Sequence, residues 1–262
     1  MTAPLPADIP EIPVLPGVAA NAAAIVPVVP ADAVVPRVRR PLAAAFRLLV
    51  ALTATAGVVL ALVLGTPSRV MGHFTILSSV VVAAVFAVSA WRTWTARRPV
   101  PPSVTAGTML YAVGAGLVQH VILANGSSAF AMAGDTGTLT GWPALTNHLL
   151  HTAVPVMAVL DWFLLTRPGP LRLHTAVAWL VLPAAYLAFT LARPNTQARY
   201  PYPFLDVSQH GYVEVLGNAT VLGLACYALA LLLVALDHIR PVPRRHRPPE
   251  NRISSPATGG LK

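Results

Sequence analysis

The stretch NHLLHTAVPVMAVLDWFLL, residues 147–165, decides how this chain folds. Past its opening polar residues it is apolar as far as Asp161, and with the residues before it approaches the roughly 20 needed to cross a bilayer core of about 30 Å. Two imidazoles and an amide at such depth are expensive, and they face a bundle interior or a water-filled cavity, which makes them functional candidates. Residues three and four apart are neighbours on a helix, so Asn147, His151, Val154 and Pro155 share one face and His148 pairs with Thr152 beside it. Asn147 can therefore orient the His151 imidazole, as a catalytic base requires of a third group. Asp161 lies ten residues beyond His151, about 15 Å deeper at helical rise, too far for that task.

Outward from this stretch the same pattern repeats. Apolar runs near 44–65, 74–94, 104–124, 144–165, 172–192 and 212–236 predict six spans. The 262 residues are 55% hydrophobic and 10% charged. The chain reads as an all-α polytopic membrane protein, a bundle of six transmembrane helices over 42–238. A disordered Pro/Ala-rich tail is expected at 1–41 and a basic disordered tail at 239–262. Frequent proline removes backbone donors and blocks helix propagation in the first tail, and Pro67, Pro143, Pro168 and Pro194 stand at span boundaries.

The net charge of +9 does not imply nucleic acid, because the basic residues sit in short segments between apolar runs and at the C-terminus. With the N-terminus inside, every Lys and Arg except Arg69, Arg193 and Arg199 is cytoplasmic. That asymmetry predicts an N-in, C-in topology in the inner (plasma) membrane. The arginines from Arg240 onward suit a solvated anchor against anionic lipid. Cys226 is the single cysteine, so no intrachain disulfide is available.

This topology places Thr75, Gln119, His120, Asn125, Asn147, His148, His151, Glu214 and Asn218 in the outer third of the bundle. Two histidines three apart have the spacing of metal or haem ligands, but only the isolated His120 and His73 stand at similar depth elsewhere. No metal or other cofactor is expected. His120 reads as an interhelical hydrogen bond. Thr75 alone carries no weight, since a threonine in a membrane helix usually bonds back to its own carbonyls. Asp161 keeps open a non-enzymatic alternative, a proton-coupled transporter or a lipid-binding scaffold.

Three separated stretches carry a family resemblance: His73-Phe74-Thr75-Ile76-Leu77-Ser78-Ser79, then Asn147-His148-Leu149-Leu150-His151-Thr152 with Pro155, then Tyr202-Pro203-Phe204-Leu205. In this order and spacing they resemble the androgen-induced and androgen-dependent TFPI-regulating membrane proteins, most closely the bacterial six-span relatives, over roughly residues 44–238. Animal members are threonine hydrolases of fatty acid esters of hydroxy fatty acids. The resemblance implies Thr75 as nucleophile and His151 as base, with Asn147 and His148 supporting and a lipid or fatty-acyl ester as substrate. Ser78 and the Asn147 amide are the candidates for the oxyanion donor.

Overall fold

The computed structural model describes residues 38–123, 140–169, 171–192 and 200–241. Asn125, most of the 125–143 connection and all but the ends of the two expected tails lie outside them. Among the described residues the chain is helical, without strands. We label the main helices α1 (Pro41–Leu64), α2 (Phe74–Trp94), α3 (Pro102–Leu117), α4 (Gly141–Leu165), α5 (Leu173–Ala192) and α6 (Val207–Ile239).

All of these except α3 are long and apolar enough to cross a membrane, five in total among the described residues. The third expected span, 104–124, contains 16 residues of α-helix followed by a six-residue π-helical stretch, Val118–Leu123. Glycines and the polar pair Gln119 and His120 dilute its apolar character. Proline occupies the first turn of α1 and α3, where its missing N–H is no loss.

In lipid, helices gain little by hiding apolar surface from one another, so they associate where small residues allow close packing. The inward stripe of α1 is built this way: Ala44, Arg47, Val50, Ala51, Ala54 and Gly57 recur at three- and four-residue intervals. It lies along α2, whose buried face carries Thr75, Ser78, Ser79, Val82, Phe86 and Ser89. Met109 and Leu110 of α3, Val154 and Trp162 of α4, Trp179 of α5 and Leu233 of α6 complete one core. A second cluster, at the end of the bundle where α2 begins, joins Tyr202, Phe204 and Leu205 to Val215.

That second cluster depends on a sharp re-entry of the chain. The segment before α6 makes a 3₁₀ turn at Pro203–Leu205, and Asp206 then caps α6 by accepting the Ser208 N–H at 2.9 Å. Gly211 interrupts α6 with φ 74° and ψ 164°, a conformation that favours glycine.

The opposite end of the bundle is held by charge. Arg47 Nε donates to Asp161 Oδ1 at 2.8 Å and Arg47 Nη1 to Thr93 Oγ1 at 2.6 Å, joining α1, α4 and α2. Asp161 also accepts from Thr166 Oγ1 at 2.9 Å and is 1% exposed. A buried pair of this kind is costly to break by removing one partner, because the survivor stays buried and uncompensated. Arg47→Met is therefore expected to destabilise the protein by about 3–5 kcal/mol. The double variant Arg47→Met/Asp161→Leu should recover most of that loss. Denaturant unfolding in detergent micelles measures both, and equal loss in the single and double variants would contradict the account.

Candidate active site

Thr75 stands in the first turn of α2, whose N-cap is His73 in an extended conformation. This position matters for its hydroxyl. Thr53, Thr55, Thr93, Thr95, Thr108, Thr146, Thr190 and Thr220 each donate to the carbonyl four residues back, at 2.6 to 2.9 Å. Thr75 is too close to the helix start for a carbonyl of α2 to lie four residues back. Its Oγ1 instead lies 3.2 Å from His151 Nε2, and Thr75 is 8% exposed.

The other imidazole nitrogen fixes the direction of this contact. His151 Nδ1 lies 3.2 Å from the main-chain oxygen of Asn147. A carbonyl can only accept, so Nδ1 carries the proton and Nε2 presents its lone pair to the Thr75 hydroxyl. The arrangement is a hydroxyl with a base in contact and the base held by a third group. The orienting group is the Asn147 backbone, where the sequence pointed to its side chain.

Local geometry of α4 explains this placement. Residues Leu149–Ala153 form a π-helical turn, with the Val154 N–H bonded to the Leu149 carbonyl five residues back. Pro155 has no N–H, so the His151 carbonyl receives no bond from the residue four ahead. π-helical turns inside α-helices occur frequently at functional sites. Here the turn coincides with the histidine motif, and α3 packs against it at Gly116. A Cβ on Gly116 would come within 2.7 Å of the His151 oxygen and 3.2 Å of Pro155 Cγ.

The remaining sequence candidates occupy different places. Ser78 Oγ, 1% exposed, donates to the Thr75 carbonyl at 3.0 Å and so stabilises the turn that carries Thr75. His148 is exposed on the outside of α4, and Asn147 is half-buried. His120 Nε2 meets Thr152 Oγ1 at 3.0 Å, linking the π-helical end of α3 to α4. Asp161 belongs to the Arg47 network at the far end of α4. No group of three or more His, Cys, Asp or Glu able to hold a metal ion occurs among the described residues.

Sequence reasoning gave Tyr202 no role. Its hydroxyl lies 3.5 Å from Thr75 Oγ1, and the residue is 7% exposed. Its ring stacks on Phe204 with centroids 5.1 Å apart and meets the His73 ring edge-on at 5.5 Å. Burial pushes the phenol pKa up, and its neighbours at the start of α2 oppose the shift. The signal available in the sequence was the Tyr202-Pro203-Phe204-Leu205 motif, which says nothing of where the loop folds.

The Gly116 contact gives a paired stability test. Gly114 has open space where a Cβ would stand. Gly114→Ala should therefore gain about 0.5–1 kcal/mol from helix propensity. Gly116→Ala should instead lose about 1–3 kcal/mol through overpacking against His151 and Pro155. Melting temperatures in detergent would show opposite signs; a gain at both positions would remove the close approach from the argument.

The FAR-17a/AIG1-like protein family model matches residues 110–239, which include His151 and Tyr202 and begin after Thr75. No curated protein and no solved structure gives a significant match. From the second half of α3 through α6, the chain belongs to the FAR-17a/AIG1-like family.

Proposed function

We propose that this membrane protein is a hydrolase of a lipid or fatty-acyl ester, with Thr75 as nucleophile and His151 as base. The observation that carries the reading is the 3.2 Å contact between Thr75 Oγ1 and His151 Nε2, made across 76 residues by side chains from two helices. A neutral hydroxyl is a poor nucleophile until a base takes its proton, and neutral imidazole can take it and return it to the leaving alcohol. Thr75 Oγ1 bonds to the ester carbon, its proton passes to Nε2, and the alkoxide departs with that proton. Water, deprotonated by the same imidazole, then releases the acid and restores the threonine.

Asn147 supports this chemistry through its backbone carbonyl, and Ser78 supports it by fixing the first turn of α2. His148, exposed beside the motif, stands where an ester headgroup arriving from the membrane surface would meet α4. The bundle crosses six times with both ends inside, the third crossing made by α3 and its π-helical extension, and lies in the plasma membrane. This puts Thr75 and His151 in the outer leaflet, where an amphipathic ester keeps its chains in lipid and its carbonyl near water. The basic C-terminal tail meets anionic lipid on the opposite side.

The transporter alternative, with the histidines coupling protons, requires polar groups that continue toward the inner side, where Asp161 is the candidate. Its pairing with Arg47 at 2.8 Å gives that carboxylate a structural occupation, which favours the hydrolase.

A fluorophosphonate probe tests the reading. Wild-type protein in membranes should label, and Thr75→Ala and His151→Ala should each lose signal by on the order of 10⁴-fold. Undiminished labelling of Thr75→Ala would sink the nucleophile. For topology, after Cys226→Ala, a cysteine at Gly137 should react with an impermeant thiol reagent in intact cells and one at Thr95 should not. The reverse pattern would move the site to the inner leaflet.

A further inference from the structure

Acyl transfer to Thr75 needs a donor for the oxyanion that forms when the carbonyl carbon becomes tetrahedral. Of the two side chains suggested by sequence, Ser78 has its proton committed to the Thr75 main-chain oxygen at 3.0 Å, and the contact that Asn147 makes in the site is through its backbone carbonyl. Usually the free N–H groups at a helix start supply such a donor. At the start of α2, the side chain of Tyr202 lies beside the first turn, its phenol oxygen 3.5 Å from Thr75 Oγ1 and its ring edge-on to His73, the residue before that turn.

We propose that Tyr202 is the oxyanion donor of the Thr75 site, its hydroxyl donating to the carbonyl oxygen of the ester. The inference rests on the hydrolase reading above. The phenol oxygen lies 3.5 Å from Thr75 Oγ1. The Thr75 proton is directed at His151 Nε2, so the phenol is the donor on this side, with its one proton facing Oγ1. An ordinary O–H···O bond is about 2.5–3.0 Å long, so the resting contact leaves the proton available to a stronger acceptor beside Oγ1. The oxygen of an ester carbonyl under attack by Oγ1 is such an acceptor. As the Oγ1–C bond forms, the carbonyl π pair moves onto oxygen and the phenol donates to it; as the intermediate collapses, the pair returns and the C–O bond of the alcohol breaks. Tyr202 keeps its proton throughout, as its burial favours.

The ring is held for this task on both faces and at its base. His73 meets it edge-on, Phe204 stacks on it, and the 3₁₀ turn Pro203–Leu205 follows directly. A preorganised donor in a water-poor site needs no rearrangement as charge develops, the condition under which such donors matter most.

The test uses the full-length protein in nanodiscs with p-nitrophenyl hexanoate and its thiono analogue, whose sulfur is a weak hydrogen-bond acceptor. Wild type should hydrolyse the oxo ester far faster than the thiono ester. Tyr202→Phe should lower kcat on the oxo ester by about 10²–10³-fold with little change in KM. It should also bring the oxo-to-thiono rate ratio down toward that of uncatalysed hydrolysis. Because both esters are measured on one preparation, any loss of folded enzyme cancels from the ratio. An unchanged ratio, whatever the fall in rate, overturns the donor role and leaves Tyr202 a packing residue. If wild-type hydrolysis is absent or survives in Thr75→Ala, the hydrolase reading itself fails, and the donor role fails with it.

Discussion

The Arg47–Asp161 pair sets the frame on which the rest of the bundle hangs. It joins the start of α1 to the end of α4 and, through Thr93, to the end of α2. Two charges brought out of water hold this geometry only when each finds its partners, and here the carboxylate receives Arg47 and Thr166 together. A second acidic anchor repeats the device nearby: Asp237 of α6 accepts from the Leu171 N–H at 3.2 Å. Burial lowers the pKa of Arg240, Asp237 opposes the shift, and the guanidinium lies 4.1 Å over the Trp162 ring. With this end of the bundle fixed at several points, the opposite ends of α2 and α4 are constrained in register, and Thr75 and His151 meet there.

Backbone hydrogen bonding then decides which polar groups are available for chemistry. Inside a membrane every N–H and C=O needs a partner, and a side-chain hydroxyl in mid-helix is drawn to its own ladder. Thr75 escapes by standing in a first turn. The π-helical turn at Leu149–Ala153 and the proline at 155 alter the ladder of α4 where His151 must point toward α2. Gly116 lets α3 press against that altered stretch. Each exception to regular helix in this region lies within a few residues of the Thr75–His151 contact.

Much of this was legible in the chain and some was not, for reasons tied to particular residues. Helical membrane character follows from composition, and depth alone brought Thr75 and His151 to the same level. Helical periodicity put Asn147 on the face of His151, yet periodicity concerns side chains and could not show that the backbone oxygen makes the contact. Arg47 counted only as one more inner positive charge, because its partner lies 114 residues away and no local pattern joins them. Gly114 and Gly116 stand two residues apart in one helix, and only the position of α4 separates their roles. Tyr202 was hidden most completely: its relation to Thr75 depends on a loop folding back across 127 residues of separation.

A Ser-His-Asp site holds its imidazolium with a buried carboxylate, and α4 offers none at the level of His151. The Asn147 carbonyl fixes the tautomer but gives an imidazolium only a dipole. A compensating element is the start of α2. A helix N-terminus carries roughly half a positive charge, and its effect is confined to the first turn, where Thr75 stands. In a water-poor setting that partial charge acts with little screening. It favours negative charge at Thr75, while Tyr202 faces the oxygen beside it. On the hydrolase reading, a carboxylate behind His151 would stabilise the cation formed on the base, whereas this site stabilises the anion formed on the substrate. Placing the nucleophile at a helix start and the base in a π-helical turn achieves this without burying another acid in lipid.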